Sequence, residues 1–382
     1  MSDLIHRPVL RTLADLVQIN SVNPNYDGGV SEVKVAEYVE SFFAQRGIQT
    51  WRQDVLPGRP NVIARVPGRD SQRRIVFEAH MDTVSVRGMT IPPWTPEIRD
   101  GRMFGRGACD TKGGMAAMMH ALVMLTANDI TPPCEVWFAA TIDEEFSFRG
   151  VVALCQELRA EAAIVAEPTL LRPVIASKGL VRFKIETLGK SAHSAKPHLG
   201  VNAIEQMAHL VVALQQDTLR LATKPHPLLG AATCNVGVIE GGVQINFVPD
   251  CCTIEIDRRM LPGETCADVL GHYQNLLNSV MADQPGMRAV MHPPMLTDIP
   301  LETSPDSLAA KCMASVLTDL QLDAKMIGVP FCSDASKFGA IGIPSIILGP
   351  GSIDQAHAAI EYIECEQVEQ AVNVYYRFMT QF

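Results

Sequence analysis

Three apolar runs in the first half of the chain each stop at charged side chains, and that repeated ending narrows the folds open to it. "EVWFAAT" closes at Thr141 and is followed by Asp143, Glu144 and Glu145. A second run ends in "EAHMDT", carrying His80 and Asp82, and a third in "AIVAEPT", carrying Glu167. Short continuous apolar runs suit buried strands. Helical spacing alternates with them. Val9, Leu10, Leu13, Leu16 and Val17 predict a helix over Leu4–Ile19. Val35, Tyr38, Val39 and Phe42 predict a second, N-capped by Ser31 and ending at Gly47. A Met- and Ala-rich stretch predicts a third from Gly113 to Thr126. With strands expected at Asn61–Val66, Arg74–Ala79, Glu135–Thr141 and Ala162–Ala166, the order predicts an α/β sheet with helices on its faces. Such sheets bind ligands at the carboxyl ends of their strands. His80, Glu144, Glu145 and Glu167 all fall at or just past such ends.

The pattern changes near Lys178. "LVRFKIETLG" alternates like a half-exposed strand, Val201–Leu214 reads as a helix, and "ATCNVGVIEGG" and "CTIEIDRRM" as two more strands. Thr265–Met281 reads as a helix and "MRAVMH" as a last strand. Strand-helix-strand-strand-helix-strand is the split βαβ order of a small ferredoxin-like α+β sandwich. The economical description is a first domain built from residues 1–177 and 293–382, interrupted by a second over residues 178–292.

At 382 residues the chain is long enough for two cores, and a formal charge of −10 argues against nucleic acid as the main partner. The ten cysteines are scattered, with no Cys-x-x-Cys pair, which suits neither a zinc knuckle nor a small disulfide scaffold. The N-terminal "MSDLIHRPVLRTLADLV" lacks the apolar core of a secretory signal. No apolar stretch approaches the ~18 residues of a membrane span. A reducing, cytoplasmic setting with free thiols is expected.

Adjacent carboxylates at a strand end repel unless something positive sits beside them. Asp110, before a helix in "GRGACDTKGG", and His357, in "GPGSIDQAH", extend the set. Two histidines and several carboxylates, without a cysteine cluster, suit a pair of divalent metals.

The ordered motifs "HMDT", "GRGACDTKGG", "DEE", "AEPT" and "GPGSIDQAH" resemble the dinuclear zinc family of acetylornithine deacetylase, succinyl-diaminopimelate desuccinylase, aminoacylase and bacterial glutamate carboxypeptidase. The resemblance runs from about Val17 to the end of the chain. It implies a mixed-sheet catalytic domain and makes the inserted domain a dimerising lid. It implies two Zn2+, with Co2+ or Mn2+ as substitutes, held by a bridging Asp110, by His80 and Glu167 on one side, and by Glu145 and His357 on the other. Glu144 would be the general base and Asp82 the acceptor of the second His80 ring N–H. A cis peptide is expected at Asp110–Thr111.

In the inserted domain the resemblance makes His193 and Asn246 oxyanion or substrate contacts, with His193 reaching across a homodimer. It makes Arg259 the partner of a substrate α-carboxylate. Strand alternation puts Arg258 on the opposite face, where it reads as a surface charge. The glycines of "GPG", Gly349 to Gly351, would let backbone approach the substrate. The expected reaction is deacylation of N-acyl-L-amino acids, with a role in arginine biosynthesis and N-acetylornithine as the narrowest substrate. Desuccinylation and dipeptide or carboxypeptide cleavage are the alternatives within the family. A two-metal phosphoesterase and a silent binding protein lie outside it. One departure stands out: relatives of the deacetylase type follow the last histidine with a Pro-Asp/Asn-Glu sequence. Here it is Ala358-Ala359-Ile360-Glu361, which keeps only the glutamate.

Overall fold

A computed structural model describes residues 7–382. The described residues form two compact units: those up to 175, with 303–327 and 333–382, cluster as one, and residues 176–302 with 328–332 as the other.

The first unit is built on a mixed sheet. Its strands run in the order Gln49–Leu56, Arg59–Val66, Cys134–Thr141, Asp70–His80, Ala162–Val165 and Ser345–Ile347. The last four are mutually parallel, and the first two form an antiparallel hairpin joined antiparallel to Cys134–Thr141. The parallel strands are buried where their runs are apolar, Asp70–His80 from Ile75 onward and the other three almost throughout. Helices Pro8–Gln18, Val33–Ala44, Gly113–Ala127 and Cys365–Gln381 pack with the sheet around one core that includes Leu10, Leu13, Val39, Phe43, Phe77, Met118 and Phe378. Gly113–Ala127 buries Met115 to Met119 without a break, so it is enclosed rather than amphipathic.

Local departures from the sequence reading have identifiable causes. The first helix begins at Pro8, and Leu4 to His6 lie outside the described residues. The second starts at Val33 with Glu32 as its N-cap. Ser31 sits one residue earlier at φ 108°, its hydroxyl accepting from the Val33 amide. That helix stops at Ala44, three residues before Gly47. Strand Gln49–Leu56 is polar and half exposed, so it leaves no apolar run to read. Ala108–Lys112 forms a single π-helical turn broken by extended backbone at Asp110, and the Asp110–Thr111 peptide is cis, the isomer expected there.

The second unit has an antiparallel sheet in the order Thr233–Gly241, Cys251–Met260, Gly179–Leu188, Ala289–Met291, with Leu296–Asp298 also paired to Gly179–Leu188. Counted along the chain this is the 2-3-1-4 arrangement of a ferredoxin-like sandwich. Helices Ala203–Leu221 and Cys266–Asp283 share its core of Phe183, Ile185, Met207, Leu210, Ile254, Ile256, Tyr273 and Leu277. Both start at side-chain caps: Asn202 accepts from Ile204 and Glu205, and Thr265 from Asp268. Strand Cys251–Met260 alternates without a slip, every second residue buried. That rhythm puts Arg258 inside, in phase with Cys252, Ile254, Ile256 and Met260. Arg258 is therefore no surface charge: it pairs with Glu264 at 2.5 Å with its side chain 3% exposed.

Candidate metal centre

All four parallel strands point their carboxyl ends the same way, and the first unit's candidates collect at that edge. His80 ends Asp70–His80. Glu144 and Glu145 follow Cys134–Thr141 through a tight turn with Asp143 at φ 68°. Glu167 lies two residues past Val165, and His357 is on the loop after Ser345–Ile347. Asp110 enters from the π turn that precedes the buried helix.

Asp110 stands in the middle. Its Oδ1 is 3.1 Å from His80 Nε2 and its Oδ2 is 3.3 Å from His357 Nε2. His357 Nε2 is also 3.2 Å from a Glu145 carboxylate oxygen, and His80 Nε2 is 3.9 Å from Glu167. Within two groups, His80–Glu144–Glu167 and His80–Asp110–Glu145, the potential ligand atoms all lie within 4.8 Å of one another. Donors bound to one tetrahedral ion at about 2.0–2.1 Å are themselves about 3.3 Å apart. The nitrogen and oxygen donors here are near that spacing, so each of the two groups around His80 could take a divalent cation.

The charges point the same way. Burial pushes Glu144, Glu145 and Glu167 up from the usual carboxylate range, and the neighbouring carboxylates add to it. Burial opposes charge on His80, but its hydrogen bonds to Asp110 and Asp82 outweigh that and hold it well above the usual imidazole range. Hydrogen bonds to Asp110 and Glu145 lift His357 to about 10. The same two histidines hold Asp110 well below its ordinary value against the effect of burial. A site that stabilises positive charge on every nitrogen donor is one that a cation would suit.

Asp82 does something the sequence did not suggest. The nearer acceptor to His80 Nδ1 is the Asp82 carbonyl at 3.0 Å, while its carboxylate stands at 3.6 Å. That carboxylate instead accepts from the Glu144 and Glu145 amides, at 3.1 and 3.2 Å, and so fixes the turn carrying both glutamates. Asn23 braces it from behind, donating to Asp82 at 2.7 Å and to Asp143 at 2.9 Å. Arg59 then links Asp143 to the fully buried Glu32. The Tyr26 hydroxyl donates to the Glu145 carbonyl at 2.6 Å. Asn23 and Tyr26 sit in "SVNPNYD", which locally reads only as a turn.

The glycines of "GPG" bring backbone close to protein. A Cβ on Gly349 would meet the Glu167 carbonyl at 2.5 Å, and one on Gly351, at φ 88°, the Cys109 sulfur at 2.6 Å. They let the His357 loop close on the Glu167 and Asp110 segments.

In the second unit His193 and Asn246 come together. Ala192–His193 pairs with Phe247–Val248, the Ser194 amide donates to the Asn246 carbonyl at 3.0 Å, and both candidates are exposed. Arg259 is half-buried, donating to Asp257 at 2.7 and 3.4 Å, with its third nitrogen 3.9 Å from the Cys332 sulfur.

Residues 76–381 match the model of peptidase family M20/M25/M40. Over 98% of this chain and 97% of the relative, the sequence is 30% identical to an acetylornithine deacetylase from Vibrio campbellii. A tripeptidase from Staphylococcus aureus shares the fold with a TM-score of 0.81 at 22% identity, over 97% of both chains. An M20 family metallo-carboxypeptidase from Sulfolobus solfataricus does so at 0.78 and 18%, over 97% of this chain and 98% of that one. Donors grouped at the edge of this fold, in a chain with these relatives, define a metal-dependent hydrolase acting on amide bonds. The chain belongs to peptidase family M20/M25/M40.

Proposed function

We propose that this enzyme deacylates N-acyl-L-amino acids, with N-acetylornithine as its preferred substrate and two zinc ions as its cofactor. The observation that carries the reading is the Asp110 carboxylate, which turns one oxygen to His80 and the other to His357. Similarity to acetylornithine deacetylases over nearly the whole chain supports the substrate and a role in arginine biosynthesis.

His80, Asp110 and Glu167 would hold one ion, and Asp110, Glu145 and His357 the other. When bound, the ions supply Lewis acidity toward the amide carbonyl and make a water acidic enough to attack near neutral pH. Glu144 takes the proton that this water gives up as its oxygen bonds to the carbonyl carbon. It then delivers that proton to the departing nitrogen as the C–N bond breaks, leaving a carboxylic acid and an amine; the acid then gives its proton up to the amine or to water. The Asp82–Asn23 brace holds the Glu144 backbone in place.

In the second unit, Arg259 is assigned to the substrate α-carboxylate, and His193 and Asn246 to its carbonyl oxygen, with His193 acting on the partner's site in a homodimer. Exposed apolar side chains at Val243 and Ile245, 94% and 99% accessible, support a dimer made through residues 178–292. No helix among the described residues is long and apolar enough to cross a membrane. Ten free cysteines support a reducing, cytoplasmic setting.

The test is amine release from acetyl-, succinyl- and dipeptide substrates by enzyme stripped of metal and titrated with zinc. Activity that returns with two ions per chain and is fastest on N-acetylornithine is the expected result. Faster turnover of a succinylated amino acid or a dipeptide would keep the chemistry and replace the substrate. Two bound ions with no amide hydrolysis would overturn the reading.

A further inference from the structure

Glu361 is the one residue kept from the expected sequence after His357, and the proposed mechanism gives it no part. It is fully buried. Its Oε1 accepts from the Cys109 amide at 2.9 Å and the Asp110 amide at 3.2 Å, and its Oε2 accepts from Arg106 at 2.6 Å. Arg106 is itself buried and anchored to the Ser85 carbonyl at 3.1 Å. One carboxylate therefore grips the backbone at the bridging aspartate while standing four residues beyond His357 on the same loop.

Backbone pairing alone does not do this. Tyr362–Glu364 pairs with Arg102–Phe104, and the Gly105 amide donates to the Glu361 carbonyl at 3.1 Å, which registers the two segments. Those contacts stop short of Asp110, whose own backbone leaves the helical region inside the π turn. Among the described residues, the Glu361 side chain is what reaches past them to the two amides that orient the Asp110 peptide. A carboxylate accepting two amide N–H groups is a strong, directional anchor.

We propose that Glu361 is a positioning residue that fixes the spacing of Asp110 and His357, and thereby sets how tightly the metal pair is held. This rests on the reading of Asp110 and His357 as ligands. It differs from a purely structural ion pair, because the hold on the Cys109 and Asp110 amides does the work and Arg106 only steadies the carboxylate.

Zinc titration calorimetry on metal-stripped protein separates the two, with the Tm of the same stripped samples as a check on folding. Glu361→Ala and Glu361→Asp are expected to lose about 10–100-fold in affinity for at least one zinc, the usual scale for a lost outer partner of a metal ligand. Arg106→Gln keeps a neutral donor for Glu361 and the carboxylate's hold on both amides. It is expected to lower Tm while leaving zinc affinity within about threefold of wild type. If Glu361→Ala does not fold, Glu361→Asp decides, since it keeps the charge but draws the carboxylate back by one methylene. Wild-type zinc affinity in the folded Glu361 variants would overturn the proposal, and so would a loss in Arg106→Gln as large as in Glu361→Ala. Failure of the wild-type protein to bind two ions would instead overturn the ligand assignment, and this proposal with it.

Discussion

The two units hold their candidate site residues in opposite ways. In the first, Asp82, Asp110, Glu167 and Glu361 are buried, and the turn bearing Glu144 and Glu145 is tied down by backbone amides given to Asp82. In the second, His193 and Asn246 are exposed, and half-buried Arg259 is held by Asp257 on its own strand and by a long contact to the Cys332 sulfur. The first unit is therefore organised before anything binds, whereas the second offers side chains with rotamer freedom still to lose. Groups that handle protons and cations need fixed geometry, because misplacement by about 1 Å can cost 10²-fold in rate. Groups that recognise a substrate tolerate settling on contact, at a cost in affinity of about 0.5–1.5 kcal/mol per immobilised side chain.

The sharpest way to break this contrast is Glu144→Gln. Turnover should fall by about 10²–10⁴-fold while both zinc ions remain bound, read by steady-state kinetics and metal analysis. Near-wild-type kcat would remove Glu144 from proton transfer. Next in size is Asn23→Ala, which cuts the brace behind Asp82. A drop of about 10–100-fold in kcat with little change in KM is expected, because the loss falls on the prepared site. A change confined to KM would mean that Asn23 does not serve the turn.

Arg259→Ala tests the second unit. It should raise KM by about tenfold or more for substrates with a free α-carboxylate and leave esterified analogues nearly unaffected. Equal effects on both would remove Arg259 from carboxylate recognition. The smallest effect on catalysis belongs to its neighbour. Arg258→Met removes a buried ion pair, so thermal denaturation should register a loss of about 1–3 kcal/mol, with kcat in the folded enzyme within about threefold of wild type. A variant as stable as wild type would mean that the Glu264 pair contributes nothing.

The fold was legible where burial left continuous apolar runs. The strands ending at His80, Thr141 and Val165 announce themselves, and His80, Glu144, Glu145 and Glu167 were legible because each lies at or just past such a run, whereas Asp110 and His357 were read from the motifs around them. The polar edge strand Gln49–Leu56 left no such trace. The supports of the site were hidden for a different reason. Asn23 meets Asp143 across 120 positions, and Glu361 meets Asp110 across 251, so no local pattern could pair them. Arg258 was readable in principle. Its phase with Cys252, Ile254 and Ile256 assigns it to the core, but pairing Arg259 with a substrate left the opposite face to read as surface.

The place of His357 in the chain bears on how the protein is made. His80, Asp110, Glu145 and Glu167 all precede the second unit in sequence, and both His357 and the Ser345–Ile347 strand that closes the parallel set follow it. A ribosome reading this message must finish the second unit before the last nitrogen donor exists. Until then the nascent first unit carries a lopsided cluster of acids around one histidine, with an unfilled edge on Ala162–Val165 where Ser345–Ile347 will pair. The charge balance of the cluster is thus completed only at the end of synthesis, and a chain cut short after the second unit would keep most of the carboxylates without the histidine that Asp110 and Glu145 face.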